Sequence, residues 1–494
     1  MLFNSMDFLI FFPIVLLIYL LLPSKIRYVW LLVSSYYFYM CWNPLFVVLI
    51  ILTTVITYLC GILINCMRKK MIITKVVLIG SFVLNIGLLI YFKYTNFLID
   101  SINKLLVQIN LDVLPTFDIL LPVGISFYTF QALGYTIDVY RGKVEPEKNI
   151  LKYALFIAFF PQLVAGPIER SENLLNQIRE EKNRKLWNYN RITSGLITML
   201  WGFFLKIVIA DRVAVLVNHV FECYEQYKMV GLIIGALGFA LQIYCDFSGY
   251  SAIAIGAARV LGFDLMENFN TPYFARGIAD FWKRWHISLS TWFRDYLYIP
   301  LGGNRCSKWK QYRNILITFG VSGLWHGANF TYVAWGLIHG FYQIVEKELN
   351  PLFNKLNQKI HTKTNSFGYR LGQMALTFVL VDLAWIFFRA NSIGQALHYI
   401  QRMFLYRDWW ALFDGTLYTL GLNMQEVHIL MFSIVMLICV GIVKFIKNKT
   451  LADFLEGQWI VFRWGVILTL LFTCMVFGYY GPNFDSSKFI YFQF

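Results

Sequence analysis

Long runs of apolar residues, separated by short polar or basic loops, fill the chain from end to end. The clearest runs cover residues 8–22, 46–63, 76–91, 192–209, 232–244, 374–388, 429–443 and 464–479. About 20 consecutive apolar residues allow an α-helix to cross the hydrocarbon core of a bilayer. The pattern therefore predicts an all-α polytopic membrane protein with about eleven to thirteen membrane-embedded helices, some of them too short to span.

The same pattern divides a single predicted membrane domain, residues 1–494, into three regions. Residues 1–115 are predicted to form plain spanning helices, and residues 346–494 to form C-terminal helices and a short tail. In residues 116–345, polar residues interrupt the apolar runs, and prolines at positions 122, 161, 167, 272 and 300 are expected to break helices. Broken backbone is tolerated in a membrane only where protein encloses it or a cavity adjoins it. We therefore expect the functional core here.

The distribution of charged residues predicts how the chain is oriented in the membrane. Only 14% of the residues are charged, yet the formal net charge is +15. Lys and Arg cluster in short loops between apolar runs, as the positive-inside rule describes, so we expect no nucleic acid partner. The basic loops around Lys69, Lys185, Lys310 and Lys447 are assigned to the cytoplasm. The eight cysteines show no paired metal-ligand spacing, so no metal site is predicted.

Two histidines stand out in the middle region. His286 comes shortly after Lys283 and Arg284, and His326 lies thirteen residues beyond Arg313 in a mostly apolar run. At helical rise, His326 is roughly 20 Å from the basic end, close to mid-bilayer. An ionisable group at that depth is costly and indicates a function, and histidine exchanges protons near neutral pH. The alternative is a core histidine bonded to a neighbouring helix carbonyl.

Several motifs in the middle region occur together in one known family. They are FPQLVAGPIER (160–170), DFSGYSAIAIG (246–256), MENFNTPY (266–273), FWKRWHISLSTWFRDYLYIPLGGNR (281–305) and GLWHGANFTYVAWGLIHG (323–340). The chain resembles the membrane-bound O-acyltransferase (MBOAT) family, in particular its bacterial alginate O-acetyltransferase branch. The resemblance covers most of the chain. It implies broken or re-entrant helices around a central funnel or tunnel, with residues 116–345 as the catalytic core.

The resemblance also implies roles for individual residues. His326, in the WHG segment, corresponds to the family's catalytic histidine, and His286, in the RWHIS segment, to a second histidine that assists it. A coenzyme A thioester carries phosphates, which four basic residues are candidates to bind: Lys283, Arg284, Arg294 and Arg305. The alternative for each is anchoring at the cytoplasmic face. Three carboxylates are expected to pair with these cations: Asp246, Asp280 and Asp295.

The C-terminal tail, YYGPNFDSSKFIYFQF, is short and aromatic. The charge pattern predicts that it emerges on the extracytoplasmic side. Its Phe489/Tyr491/Phe494 pattern resembles the C-terminal motif of a small membrane peptide that accompanies the related D-alanyl transferase. That resemblance makes Tyr491 a candidate acyl carrier. The alternative is an aromatic anchor at the membrane interface.

We therefore expect an O-acyltransferase of the bacterial plasma membrane. It would move an acetyl group from a cytoplasmic donor, acetyl-coenzyme A or another acyl thioester, without a bound cofactor. The resemblance implies an exported SGNH-type acetyltransferase as partner and an extracellular polysaccharide, alginate-like or another, as acceptor. Three alternatives remain open: D-alanyl transfer to teichoic acid, a membrane channel or transporter, and a non-catalytic scaffold.

Overall fold

The structure is a computed structural model that describes residues 1–164, 166–181 and 184–480. Within these ranges the regular elements are helices and no strand is present, which confirms the predicted all-α class. The chain divides into two compact units. One comprises Met1–Leu196 and Ala254–Met266, and the other Ile197–Ile253 and the residues from Glu267 onward. Whether they act as one membrane domain stays a prediction.

The helices have the following bounds. The first part of the chain forms α1 Met6–Leu21, α2 Arg27–Met40, α3 Val47–Cys66, α4 Met71–Gln108, α5 Ile125–Tyr140, α6 Ile150–Ala158, α7 Phe160–Leu163, α8 Asn176–Arg179 and α9 Tyr189–Phe203. The rest forms α10 Asp211–Glu222, α11 Met229–Leu261, α12 Ile278–Arg284, α13 Ile287–Phe293, α14 Lys308–His326, α15 Phe330–Lys359, α16 Phe367–Arg389, α17 Ile393–Leu405, α18 Met424–Lys447, α19 Leu451–Glu456 and α20 Ile460–Phe477.

Seven helical stretches of the described chain are long and apolar enough to cross a membrane. They are Pro44–Cys66, Met71–Gln108, Tyr189–Glu222, Met229–Leu261, Phe367–Arg389, Met424–Lys447 and Ile460–Phe477. Between them lie short helices such as α6, α7, α12 and α13. The five prolines expected to break helices all lie in loops or at the start of a short helix. The middle region is therefore built from interrupted helices.

The first unit shows how a small residue positions a large one. At Gly61 of α3, an added Cβ would lie 2.9 Å from the ring of Tyr135 on α5, so a larger residue would push these helices apart. The Tyr135 hydroxyl accepts a hydrogen bond from the backbone N–H of Glu147 at 3.1 Å. This tyrosine therefore joins α3, α5 and the loop that follows α5.

The second unit contains a π-helical turn, Phe204–Ala210, between α9 and α10. Such turns are rare inside helices and are frequent at functional sites. Lys206 in this turn is buried and pairs with Asp211 at 2.8 Å and with Asp246 of α11 at 2.7 Å. The prediction that Asp246 pairs with the basic residues around His286 is therefore wrong. A carboxylate buried in an apolar helix needs a buried cation, and Lys206 supplies it.

Helices α14 and α15 form a hairpin whose backbones touch. An added Cβ at Gly323 would lie 2.2 Å from the carbonyl oxygen of Tyr332, and one at Gly336 would lie 2.2 Å from that of Phe319. The helix pair can approach this closely only because both positions lack a side chain. Asn329 caps α15, since its side chain accepts a hydrogen bond from the backbone N–H of Thr331. The hairpin is thus a closely packed support for the turn that follows His326.

Candidate active site

His326 is the last residue of α14, at the turn into α15. It is buried, with 4% of its surface exposed. The ring centroids of Trp325, Trp335 and Phe388 lie 5.0, 5.1 and 5.4 Å from that of its imidazole. Arg313 and His326 belong to one continuous helix, so their predicted separation of roughly 20 Å follows from helical rise. The depth of His326 in a bilayer stays a prediction.

His286 lies between the short helices α12 and α13 in a left-handed backbone conformation, with φ 44° and ψ 54°. A non-glycine residue in this region costs about 1–3 kcal/mol and persists only where its surroundings fix it. The side chain is fully buried, and the ring of Phe247 from α11 packs against it at 4.6 Å. Strain of this kind concentrates at functional sites, so the conformation supports a functional role for His286.

Asn268 is the residue that fixes this turn. Its backbone carbonyl accepts a hydrogen bond from the N–H of Ile287 at 3.0 Å. Its side-chain oxygen accepts two more from Ser288, from the hydroxyl at 2.6 Å and from the N–H at 3.3 Å. Its amide nitrogen donates to the Ser251 hydroxyl at 3.3 Å. Asn268 belongs to the MENFNTPY motif, but the sequence alone assigned it no role.

The two histidines face one small volume. Their ring centroids are 6.3 Å apart, with the ring planes at 61°. The ring of Trp325 lies 6.0 Å from His286 as well as against His326. The structure therefore brings together the pair that the sequence predicted, in surroundings suited to general acid–base chemistry.

A cavity of about 660 Å³ adjoins the histidine pair. Its lining includes Ile287, which directly follows His286, and Ser322, which lies one helical turn before His326. Trp282 and Phe319 also line it, whereas the histidines themselves do not. Its charged lining residues Lys283, Arg294 and Lys347 are exposed, and its aromatic lining residues Trp282 and Phe293 are buried. The cavity wall thus includes direct neighbours of both histidines.

The four predicted donor-binding residues separate into two groups. Lys283 and Arg294 line the cavity, and Lys347, which the sequence did not single out, joins them. Arg284 lies outside the lining and pairs with Asp280 at 2.9 Å, as expected for that carboxylate. Arg305 also lies outside the lining and is exposed. Arg294, which lines the cavity, pairs with Asp295 at 2.8 Å, also as expected. Three cations therefore share the cavity.

Trp282 and His339 form a further pair that the sequence did not reveal. The indole Nε1–H of Trp282 donates a hydrogen bond to Nδ1 of His339 at 3.3 Å. His339 is fully buried, and its ring also lies 5.2 Å from that of Trp335. This bond fixes the orientation of Trp282 at the cavity wall. The signal was weak in the sequence because 57 positions separate the two residues.

Tyr491 lies outside the described residues, so its predicted role as an acyl carrier stays a prediction. Tyr479, which precedes the undescribed part of the tail, is held by hydrogen bonds to the π-helical turn and to α18. The backbone N–H of Tyr479 donates to the carbonyl of Ile207 at 2.8 Å, and the Tyr479 hydroxyl donates to Glu426. Burial, followed by the hydrogen bond to Glu426, raises the pKa of the Tyr479 phenol to about 12, so it stays protonated and keeps donating.

Comparison with known proteins places the chain among acyltransferases. A family model of MBOAT, the membrane-bound O-acyltransferase family, matches residues 146–380. The "Probable alginate O-acetylase AlgI" of Pseudomonas aeruginosa is 40% identical over 83% of this chain and 76% of its own length. The "Peptidoglycan O-acetyltransferase" of Helicobacter pylori is 33% identical over 82% of this chain and 80% of its own length.

A more distant relative is the "Teichoic acid D-alanyltransferase" of Bacillus subtilis, 27% identical over 56% of this chain and 70% of its own length. The matched family region, residues 146–380, contains His286, His326 and every residue that lines the cavity. The described chain also carries seven helices apolar enough to span a membrane. The chain therefore belongs to the membrane-bound O-acyltransferase family and is a multi-pass membrane acyltransferase.

Proposed function

We propose that this acyltransferase moves an acetyl group from a cytoplasmic thioester, acetyl-coenzyme A, across the membrane for O-acetylation of an extracellular polysaccharide. Two relatives with extensive similarity are named as an alginate O-acetylase and a peptidoglycan O-acetyltransferase. The D-alanyltransferase is less similar and matches less of the chain, so D-alanyl transfer is the weaker candidate. Membership of an acyltransferase family argues against a channel, transporter or scaffold. The acceptor would be alginate or another exopolysaccharide.

A single observation carries the proposal: a cavity lined by exposed cations has in its wall Ile287 and Ser322, the neighbours of two buried histidines whose ring centroids are 6.3 Å apart. In the proposed step, the acceptor hydroxyl attacks the thioester carbonyl while His326 takes its proton. The carbon–sulfur bond then breaks, and the departing thiolate receives the proton from His326. His286 holds the hydroxyl in place between the rings. An enclosed aromatic site strengthens these hydrogen bonds because little water competes for them.

The cations support a donor with phosphate groups. Lys283, Arg294 and Lys347 line the cavity together with one carboxylate, Glu346, and the net positive charge of this lining would attract a negatively charged ligand. Arg294 presents a planar fork suited to phosphate oxygens, although Asp295 occupies part of it. Arg284 and Arg305, outside the lining, would act only on the approach of the donor. This assignment places the donor end of the cavity at the cytoplasmic face of the bacterial plasma membrane.

The acceptor side of the proposal rests on the tail and on a partner. We place the tail outside the plasma membrane, from the charge pattern of the loops. There Tyr491 would accept the acetyl group and pass it to an exported SGNH-type acetyltransferase, which would then modify the polymer. The family resemblance supports such a partner. A carrier of this kind would let the acetyl group cross while coenzyme A, which is charged, stays in the cytoplasm.

Release of free coenzyme A by the purified protein tests the proposal. With acetyl-coenzyme A as donor, and with the SGNH-type partner and alginate oligosaccharide present so that the acetyl group leaves Tyr491, His326→Ala should lower turnover by at least about 10²-fold, because a general base contributes about 10²–10⁴. His286→Ala should lower it less. His398→Ala, which removes an exposed histidine on α17, is the matched control and should leave turnover unchanged. Wild-type turnover by a folded His326→Ala protein would disprove the proposed mechanism.

A further inference from the structure

Trp282 occupies the place where the cavity meets the aromatic cluster around the histidines. It lines the cavity and is itself buried. Its ring lies 5.2 Å from that of Phe319, another lining residue, and 5.7 Å from that of Trp335. Trp335 in turn packs against His326 at 5.1 Å. The indole of Trp282 therefore joins the wall of the cavity to the aromatic cluster around His326.

This position matters for the part of the donor that must reach the histidines. The lining residues of α14 follow one face of the helix, from Ile315 through Phe319 to Ser322. Ser322 is one turn from His326, so a thioester carbonyl must lie near the Ser322 end to react. Trp282 packs against Phe319, which lies about one turn before Ser322, so an acyl chain that extended from the carbonyl along this face would meet the indole. A short acyl group would fit beside the indole, whereas a longer acyl group would need the volume that the indole occupies.

We infer that Trp282 determines acyl-chain length, because its buried indole occupies volume in the cavity wall that an acyl chain longer than acetyl would need. This inference rests on the proposed function, since it concerns the donor of the same site. In a tight apolar pocket, one methylene changes discrimination by about 10–200-fold. Overpacking a well-packed core is also unfavourable, and the rings of Phe319, Trp335 and His339 pack against Trp282. Discrimination of this size can therefore come from one rigid side chain.

His339 is the positioning residue for this wall. It does not line the cavity, but its Nδ1 accepts the indole N–H of Trp282 at 3.3 Å. A buried indole N–H without an acceptor is unfavourable, so the bond holds the ring in one orientation. The ring of His339 also packs edge-on against that of Trp282, at 5.1 Å. His339 thus acts on selectivity through Trp282, without contact with the donor.

The experiment compares wild-type and variant proteins with acetyl-, propionyl-, butyryl- and hexanoyl-coenzyme A, by release of free coenzyme A. Wild-type protein should prefer acetyl over butyryl by at least about 10²-fold, from two methylenes. Trp282→Ala should reduce this preference by about tenfold or more. Trp282→Phe, which keeps an aromatic ring of smaller size, should fall between them. Its milder change also covers the case in which Trp282→Ala does not fold.

The positioning role has its own pair of variants. His339→Phe removes the acceptor and should relax the preference part of the way, whereas His339→Asn keeps an acceptor oxygen near the place of Nδ1 and should restore it. Trp385→Phe is the control. Trp385 is buried and packs against Trp335 at 5.4 Å, but it does not line the cavity. That variant should keep the wild-type length profile.

The outcomes separate this inference from the proposed function. Wild-type protein that releases no coenzyme A from any thioester would overturn the proposed function. Wild-type protein active with acetyl-coenzyme A, together with an unchanged length profile in Trp282→Ala and Trp282→Phe, would overturn the inference alone. Folded Trp282 variants that are inactive with every thioester would also overturn it, because Trp282 would then serve catalysis rather than selection.

Discussion

The side-chain oxygen of Asn268 accepts the hydroxyl hydrogen of Ser288 at 2.6 Å, and this bond ties down the turn that carries His286. The same asparagine also accepts from the backbone of Ile287. These bonds offset the strain of a left-handed histidine, and they leave its ring beside Phe247 and facing His326. The first prediction follows from this arrangement.

Asn268→Ala should lower kcat for coenzyme A release by about 10-fold or more, with a smaller change in KM. The substitution leaves the Ser288 hydroxyl without its acceptor, at a cost of about 1–3 kcal/mol, and so frees His286 to leave its active position. Ser288→Ala should have a smaller effect, because the backbone bonds to Asn268 persist. Unchanged kcat in a folded Asn268→Ala protein would show that the turn does not need this support.

A second prediction separates the cations that line the cavity from those outside it. Lys283→Gln and Arg294→Gln should each raise KM for acetyl-coenzyme A several-fold and weaken its dependence on salt, because a charge near phosphate groups is lost. Arg284→Gln and Arg305→Gln should raise it less. S-acetyl-N-acetylcysteamine, a thioester without phosphates, provides the substrate control, and its KM should not change. Equal effects in all four variants would argue against the cavity as the donor site.

The third prediction concerns the buried charges of the π-turn. Lys206→Met leaves the carboxylates of Asp211 and Asp246 buried without their cation, so it should destabilise the protein by about 3–5 kcal/mol. Thermal unfolding in detergent would measure the change. Replacing both carboxylates by Asn in the same protein should recover much of it. Lys308→Met, at an exposed ion pair with Glu348, is the control and should change stability little.

The fourth prediction concerns the tail. In the proposed transfer, the phenolic oxygen of Tyr491 bonds to the acetyl carbon, the carbon–sulfur bond breaks, and the phenol proton ends on the thiol. Tyr491→Phe should therefore abolish acetylation of the polymer, although it keeps the aromatic ring. Mass spectrometry of the C-terminal peptide, after incubation with donor and without a partner, should show one added acetyl group. An active Tyr491→Phe protein would mean that the tail serves only as an anchor.

The sequence predicted those features that follow from local pattern. Apolar runs long enough to span a bilayer predicted the helical class, and the motifs around His286 and His326 predicted the family to which the chain belongs. The histidines could be singled out because an ionisable group in an apolar run is costly wherever the helix packs. Such arguments need only the composition and order of neighbouring residues.

Contacts between distant residues could not be predicted in this way. Lys206 lies in a π-turn and meets Asp246 of another helix, and no pattern in the apolar run marks either the turn or the contact. Lys283 and Arg284 are adjacent in the chain, yet only Lys283 lines the cavity, because successive residues of a short helix point about 100° apart. The rotation of the short helix about its axis therefore determines which of these two cations can contact the donor.

The glycine contacts of α14 and α15 permit one register only. Gly323 meets the carbonyl of Tyr332, and Gly336 meets that of Phe319, at distances where only a hydrogen atom fits. Sliding either helix by one residue would bring the side chain of Leu324 or Leu337 against backbone. Gly323 and Gly336, which lack a Cβ, therefore fix the position of His326 along the hairpin. Because α14 and α15 are consecutive in the chain, that position can be fixed as soon as this helix pair assembles, before α16 to α20 are added.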